Sequence, residues 1–79
     1  MTTWHYAYTK HPSPTGPPFW TITEVYRDQN GDLSAWSSTV NAMGETPFEL
    51  RDDLKRMLDA INYPWLDLTT DPPTLNERQ

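Results

Sequence analysis

Glu24 sits among Trp20, Ile22 and Tyr26 in the stretch FWTITEVYRDQNGDLSAWSS, residues 19–38, with Asp28 and Asp32 close behind it. A carboxylate among large apolar side chains can act as a general acid or base when burial tunes its pKa. It can instead meet a partner's basic surface, or accept hydrogen bonds from tyrosine, indole or backbone donors where a sheet face meets solvent. A unit this small offers no deep cleft for the first role, so the residues favour the last, with a partner contact next. Other chemistries are poorly served. His5 and His11 are the two histidines, there is no cysteine, and no metal-ligand spacing surrounds them. Nothing resembles Gly-x-Ser-x-Gly or a triad, and Gly16, Gly31 and Gly44 are too scattered to cradle a phosphate. No catalytic residue, metal or cofactor is expected.

The acidic residues carry the stronger signal. Eleven Asp and Glu against six Lys and Arg give a net charge of −5 and a pI near 4.6. That balance opposes nucleic acid or an anionic membrane as direct partner, because phosphate binding needs clustered cations. It suits solubility or a protein partner with a basic surface. Asp28 and Asp32 flank a turn, while Glu45, Glu49, Asp52 and Asp53 crowd a helix start. Carboxylates there meet the helix's positive end, which is a structural reason for several of them. Gathered into one patch they would also steer a basic partner. The candidate partner-binding residues are therefore Asp28, Asp32, Glu49, Asp52, Asp53 and Glu24, with Trp36 as an aromatic anchor.

The elements that must position these residues are legible as patterns. Trp4, Tyr6 and Tyr8 alternate with His5, Ala7 and Thr9, the period of two that marks a strand. KHPSPTGPP follows; its prolines cannot donate to a ladder, so it is a loop, although Pro14 to Pro17 formally fits PxxP. Phe19 to Arg27 and Asp32 to Val40 read as a second and third strand around DQNG, where Asn30 and Gly31 tolerate positive φ. A two-residue turn would set Glu24 opposite Ser37. A three-residue turn with Gly31 in the bulge position would set it opposite Trp36, and would put Trp36 and Val40 on the face of Trp20, Ile22 and Tyr26. The second register gathers more apolar groups on one face and is preferred. In GETPFELRDDLKRMLDAINYP, Thr46 is an N-cap, Pro47 the first helical residue and Glu49 the partner in a capping box. Leu50, Leu54, Met57, Leu58 and Ile61 form one stripe, and Pro64 ends the helix.

The expected fold class is α+β: a three-stranded antiparallel sheet with one helix packed on one face, β-β-β-α. Residues 1–68 form a single small domain and residues 69–79 a flexible C-terminal tail. No apolar run approaches the roughly 20 residues of a membrane span, and MTTWHYAYTK has no signal-peptide pattern. A cytoplasmic location in a bacterial host is the expectation. One helix covers one side of a small sheet, so Trp4, Tyr6, Tyr8, Trp20, Tyr26 and Trp36 cannot all lie beneath it.

The pattern Trp20-x-Ile22-x-Glu24-Val25-Tyr26, a turn ending in Gly31, Trp36, Gly44-Glu45-Thr46 and the helical series from Leu50 to Pro64 resembles a family of short bacterial and phage proteins. The likeness covers roughly Trp4 to Leu66 and implies a stand-alone small module. In size, charge and lack of catalytic equipment the chain is also similar to anti-CRISPR-type phage inhibitors. That similarity implies a non-enzymatic protein that places an acidic surface on a host nucleic-acid-binding defence complex and blocks nucleic-acid binding. Two alternatives remain. One is an accessory module that homodimerises through its open sheet face with Trp4, Tyr6 and Tyr8. The other is a protein that sequesters a small molecule, such as a nucleotide signal, by aromatic stacking.

Overall fold

The computed structural model describes residues 3–77. Strands β1 (Thr3–His11) and β2 (Phe19–Arg27) pair antiparallel along their whole length, Thr3 opposite Arg27 and His11 opposite Phe19. The proline-rich segment connects them as a loop. The pairing gives the two faces different characters. One carries Trp4, Tyr6, Tyr8 and Lys10 opposite Tyr26, Glu24, Ile22 and Trp20; the other carries His5, Ala7 and Thr9 opposite Val25, Thr23 and Thr21. Helix α1 (Pro47–Asp59), followed by a 3-10 turn over Ala60–Asn62, packs on the aromatic face.

The sheet has five strands and is mixed, where three antiparallel strands were expected. Beyond β3 (Leu33–Trp36) and the helix, the chain returns as β4 (Trp65–Asp67), which runs parallel to β1 with Leu66 beside Thr9. It then turns back as β5 (Thr74–Asn76), giving the order β3-β2-β1-β4-β5. Residues 74–76 lie in the stretch expected as a tail and pair antiparallel with β4, Leu75 opposite Leu66; residues 78 and 79 of that tail lie outside the described residues. Three-residue strands bounded by prolines are too short to show a period of two, which is why the sequence hides them.

The small-residue face forms the core. Ala7, Val25 and Leu66 are fully buried, and Leu33, Leu68 and Leu75 pack against them. Leu33 and Leu75 come from the two opposite edge strands, which a flat five-stranded sheet would hold roughly 19 Å apart at about 4.8 Å per strand. The two nevertheless line one cavity, together with Arg27, Pro64 and Thr74, so the sheet curls around this face. The inside of a tight curl has room only for short side chains, and Ala7, Thr9, Thr23 and Val25 fill it. Thr9 and Thr23 satisfy each other there, hydroxyl to hydroxyl, at 2.8 Å. The face left open by the helix is thus closed by the sheet's own curvature and by β5.

The hairpin combines both expected turns. Gly31 has φ +83, the amide of Gly31 donates to the Asp28 carbonyl and Arg27 pairs with Leu33, as the three-residue turn requires. A bulge at Ser34 then shifts the ladder, so that Tyr26 pairs with Ala35 and Val25 with Trp36. Ser37 donates its amide to the Glu24 carbonyl and receives the Glu24 amide on its hydroxyl, both at 2.9 Å. The preferred register therefore fails beyond the bulge. Trp36 lies on the face of Val25, and Ala35, not Trp36, joins Tyr26.

Candidate functional site

Helix α1 begins as its sequence dictates. The Thr46 hydroxyl accepts the Glu49 amide at 3.1 Å and Pro47 opens the first turn. The Glu49 carboxylate reaches back to the Glu45 amide at 3.0 Å, one residue earlier than an ideal capping box. Gly44 lets the chain pass close to this turn, since a Cβ there would sit 2.4 Å from the Leu50 nitrogen.

The helix is rolled in a way its apolar stripe does not foretell. The residues it buries are Asp53, Met57 and Ala60, a line at i, i+4, i+7. The stripe Leu50, Leu54, Leu58 and Ile61 lies roughly a quarter turn away at 100° per residue. These side chains face water: Leu54 and Ile61 are each 52 % exposed and Leu58 70 %. Asp53 sets the roll. Its Oδ1 accepts the Tyr6 hydroxyl at 2.7 Å, its Oδ2 accepts the Met43 amide at 2.9 Å, and Arg56 stands 3.8 Å away. The Tyr8 hydroxyl adds a bond of 3.2 Å to the Leu58 carbonyl. The Met43 amide, and then the Tyr6 hydroxyl, hold the Asp53 carboxyl below the usual carboxylate range. Burial, reinforced by the bond to Asp53, pushes the Tyr6 phenol up to about 12.

The structure distributes the candidate partner-binding residues unevenly. Asp53 is buried and bonded within the chain. Asp28 accepts the Asn30 and Asp32 amides on one oxygen, at 2.9 and 3.0 Å, and so builds the turn. Glu24 is half-buried on the helix-side face beside Tyr6, and its Oε1 accepts the Tyr26 hydroxyl; that bond raises the Tyr26 pKa. Glu24 among aromatics is thus a sheet-face acceptor for tyrosine. Asp32, Glu49 and Asp52 are exposed, with Asp52 3.7 Å from Arg51. Trp36 is exposed on the far face from Glu24. Among the described residues no cluster of three or more His, Asp or Glu could hold a metal ion, and no helix is long and apolar enough to cross a membrane.

Two surfaces emerge that the acidic pattern did not mark. The first is the outward stripe of α1, continued at its start by exposed Phe48 and Met43. The second is a groove of about 440 Å³ where the helix end meets β1, β2 and β4. Its walls are Tyr8, Trp20, Tyr63 and Trp65, its floor Ala60 and Ile61, and its one charged lining residue is Lys10. The aromatic alternation of β1 and β2 was a usable signal for half of this groove. The Tyr63–Trp65 half was not legible, because it depends on β4 lying beside β1.

No protein family, characterised protein or solved structure matches the chain.

Proposed function

We propose that the chain is a non-enzymatic interaction protein that acts by occupying a partner protein, in the manner of a phage-type inhibitor of a host nucleic-acid-binding complex. The outward stripe Leu50, Leu54, Leu58 and Ile61 carries this reading. A helix normally turns its apolar arc inward; this one turns the line Asp53, Met57 and Ala60 to the sheet and leaves leucines in water. Anchors spaced at three and four residues are what a hydrophobic groove reads when it takes up an amphipathic helix. The surroundings favour a basic rim on the partner. The chain carries −5 overall, Glu45, Glu49, Asp52 and Asp59 are exposed along the helix, and two helix cations are engaged locally. Arg51 lies by Asp52 and over the Phe48 ring, and Arg56 lies by Asp53.

The test is capture from bacterial lysate followed by reconstitution with the purified captured complex. The reading expects a nucleic-acid-binding complex, bound stoichiometrically, whose nucleic-acid binding is lost when this chain is added. Leu54→Asp with Leu58→Asp should abolish capture, and Glu49→Lys with Asp52→Lys should weaken it and its salt dependence. Equal capture by the leucine variant would overturn the reading. The same exposed stripe also supports a second one, a homodimer that buries it. Sedimentation equilibrium separates them, since a dimer dissociated by the leucine substitutions moves the conclusion to self-association.

A further inference from the structure

The groove beside the helix end has a construction that the outward stripe lacks. Each wall is held in place by a contact of its own. The Tyr8 hydroxyl is bonded to the Leu58 carbonyl at 3.2 Å. The Tyr63 ring stacks on His5, centroids 5.3 Å apart, while its amide donates to the Ala60 carbonyl at 3.0 Å. Trp20 and Trp65 meet at 5.2 Å and 55°, each fixed in a paired strand. The volume of about 440 Å³ falls within the roughly 300–1,000 Å³ of small-molecule sites, which combine apolar walls with few polar groups.

The polar group here is Lys10. Register places it between Trp20 on β2 and Asp67 on β4. Asp67, the carboxylate best placed to neutralise it, is buried and turned to Thr69, accepting both its amide and its hydroxyl. Lys10 consequently makes no ion pair within 4 Å among the described residues. A protein of net charge −5 thus keeps one unpaired ammonium in an aromatic groove. Such a group repels the cations that bare aromatic cages take and attracts an anion. A single ammonium, partly offset by nearby Asp67, suits one negative charge and not the several of a nucleoside diphosphate.

We propose that this groove binds a small planar organic monoanion, an aromatic carboxylate in chemical class, with its ring against Trp20 and Trp65 and its carboxylate on Lys10. The site is separate from the docking stripe except for Ile61, so failure of either leaves the other standing.

Three isosteric probes test it on the full chain: 2-naphthoate, 2-naphthalenemethanol and 2-naphthylmethylammonium, followed by NMR of the Trp20 and Trp65 indole N–H signals. Naphthoate should give saturable shifts in both indoles and bind roughly fivefold or more tighter than the cation. Lys10→Met, which keeps the apolar stem, should erase that preference while preserving the thermal midpoint, and Trp20→Ala should weaken all three probes. If Trp20→Ala disturbs the fold, the Lys10→Met comparison decides alone. Absence of saturable shifts, equal or tighter binding of the cation, or an unchanged preference in Lys10→Met would each overturn the proposal. So would binding confined to a peptide ending in an aromatic residue, which would make the groove part of a protein-docking surface.

Discussion

Asp53 is a helix carboxylate whose removal would reach three segments at once: α1 itself, β1 through Tyr6 and the loop through Met43. Asp53→Ala should cost about 2–3 kcal/mol, because a charged acceptor disappears and two donors lose their partner. Tyr6→Phe removes one of those bonds and should cost about 1 kcal/mol. Since both act on one network, the double variant should lose less than the sum of the two; urea unfolding of the four proteins measures the coupling, and simple additivity would remove Asp53 from its organising role. The pH dependence follows from the same bonds. Asp53 and Asp67 are held below the usual carboxylate range, Asp53 by the Met43 amide and Asp67 by the Thr69 hydroxyl. Their stabilisation is therefore complete above the unfolded value of about 3.9 and is lost as pH falls through the lower folded values. Tyr6 works in the opposite direction. Its phenol is raised to about 12, so its contribution is present below the ordinary value of about 10 and disappears as pH climbs from there to the folded value. Urea midpoints should thus fall at both ends of the scale. Tyr6→Phe should flatten the alkaline arm and also shrink the acid arm, because the Tyr6 hydroxyl helps the Met43 amide to hold the Asp53 carboxyl down.

At the scale of the element, α1 shows how a sequence can announce a helix without saying which side it buries. Thr46, Pro47 and Pro64 set its ends through local rules, and the structure follows them: the helix runs from Pro47 to Asp59 and its 3-10 extension stops at Asn62. The apolar stripe was equally plain. Its orientation was not, because the roll is fixed by bonds from Asp53 to Tyr6, 47 residues away, and to Met43, 10 residues away. Periodicity reports a stripe and carries no information on the neighbour that claims it. The consequence can be measured by substitution. Leu54→Asp and Leu58→Asp, although they place charge on leucines, should change stability by no more than about 0.5 kcal/mol, as exposed positions do. Met57→Ala, on the buried line, should cost about 2 kcal/mol or more by leaving a cavity under the helix. Thermal or urea denaturation of the three variants checks the order. A large loss in either leucine variant would mean that the stripe, and not the Asp53 line, faces the sheet in solution.

For the whole molecule, stability depends on a curl that joins the first and last parts of the chain. A domain of this size has only a few kcal/mol to lose, and its buried cluster is correspondingly small: Ala7, Val25 and Leu66, with Leu33, Leu68 and Leu75 around them. The hairpin at DQNG was legible because Gly31 must take positive φ, and the strand β1 because its aromatics alternate. The Ser34 bulge, the parallel β4 and the short β5 were not, since each exists to close the curl and has no local pattern of its own. Closure makes a specific claim about coupling. Leu75 of β5 and Leu33 of β3 share one cluster although three strands separate them in the sheet. Leu75→Asp should cost about 2 kcal/mol or more, by losing apolar contact and placing a charge at the cluster's edge. Hydrogen exchange tells closure from simple fraying. Loss of β5 alone would speed exchange only in β4 and β5, at the far edge of the sheet. A curl held shut by the shared cluster would also release the amides of β3, because Leu33 loses its packing when Leu75 is removed. Faster exchange at both edges, with β1 and β2 still protected, is the expected pattern. Acceleration confined to β4 and β5 would show that the two edges do not support one another, and that the core stands on the long β1–β2 pair alone.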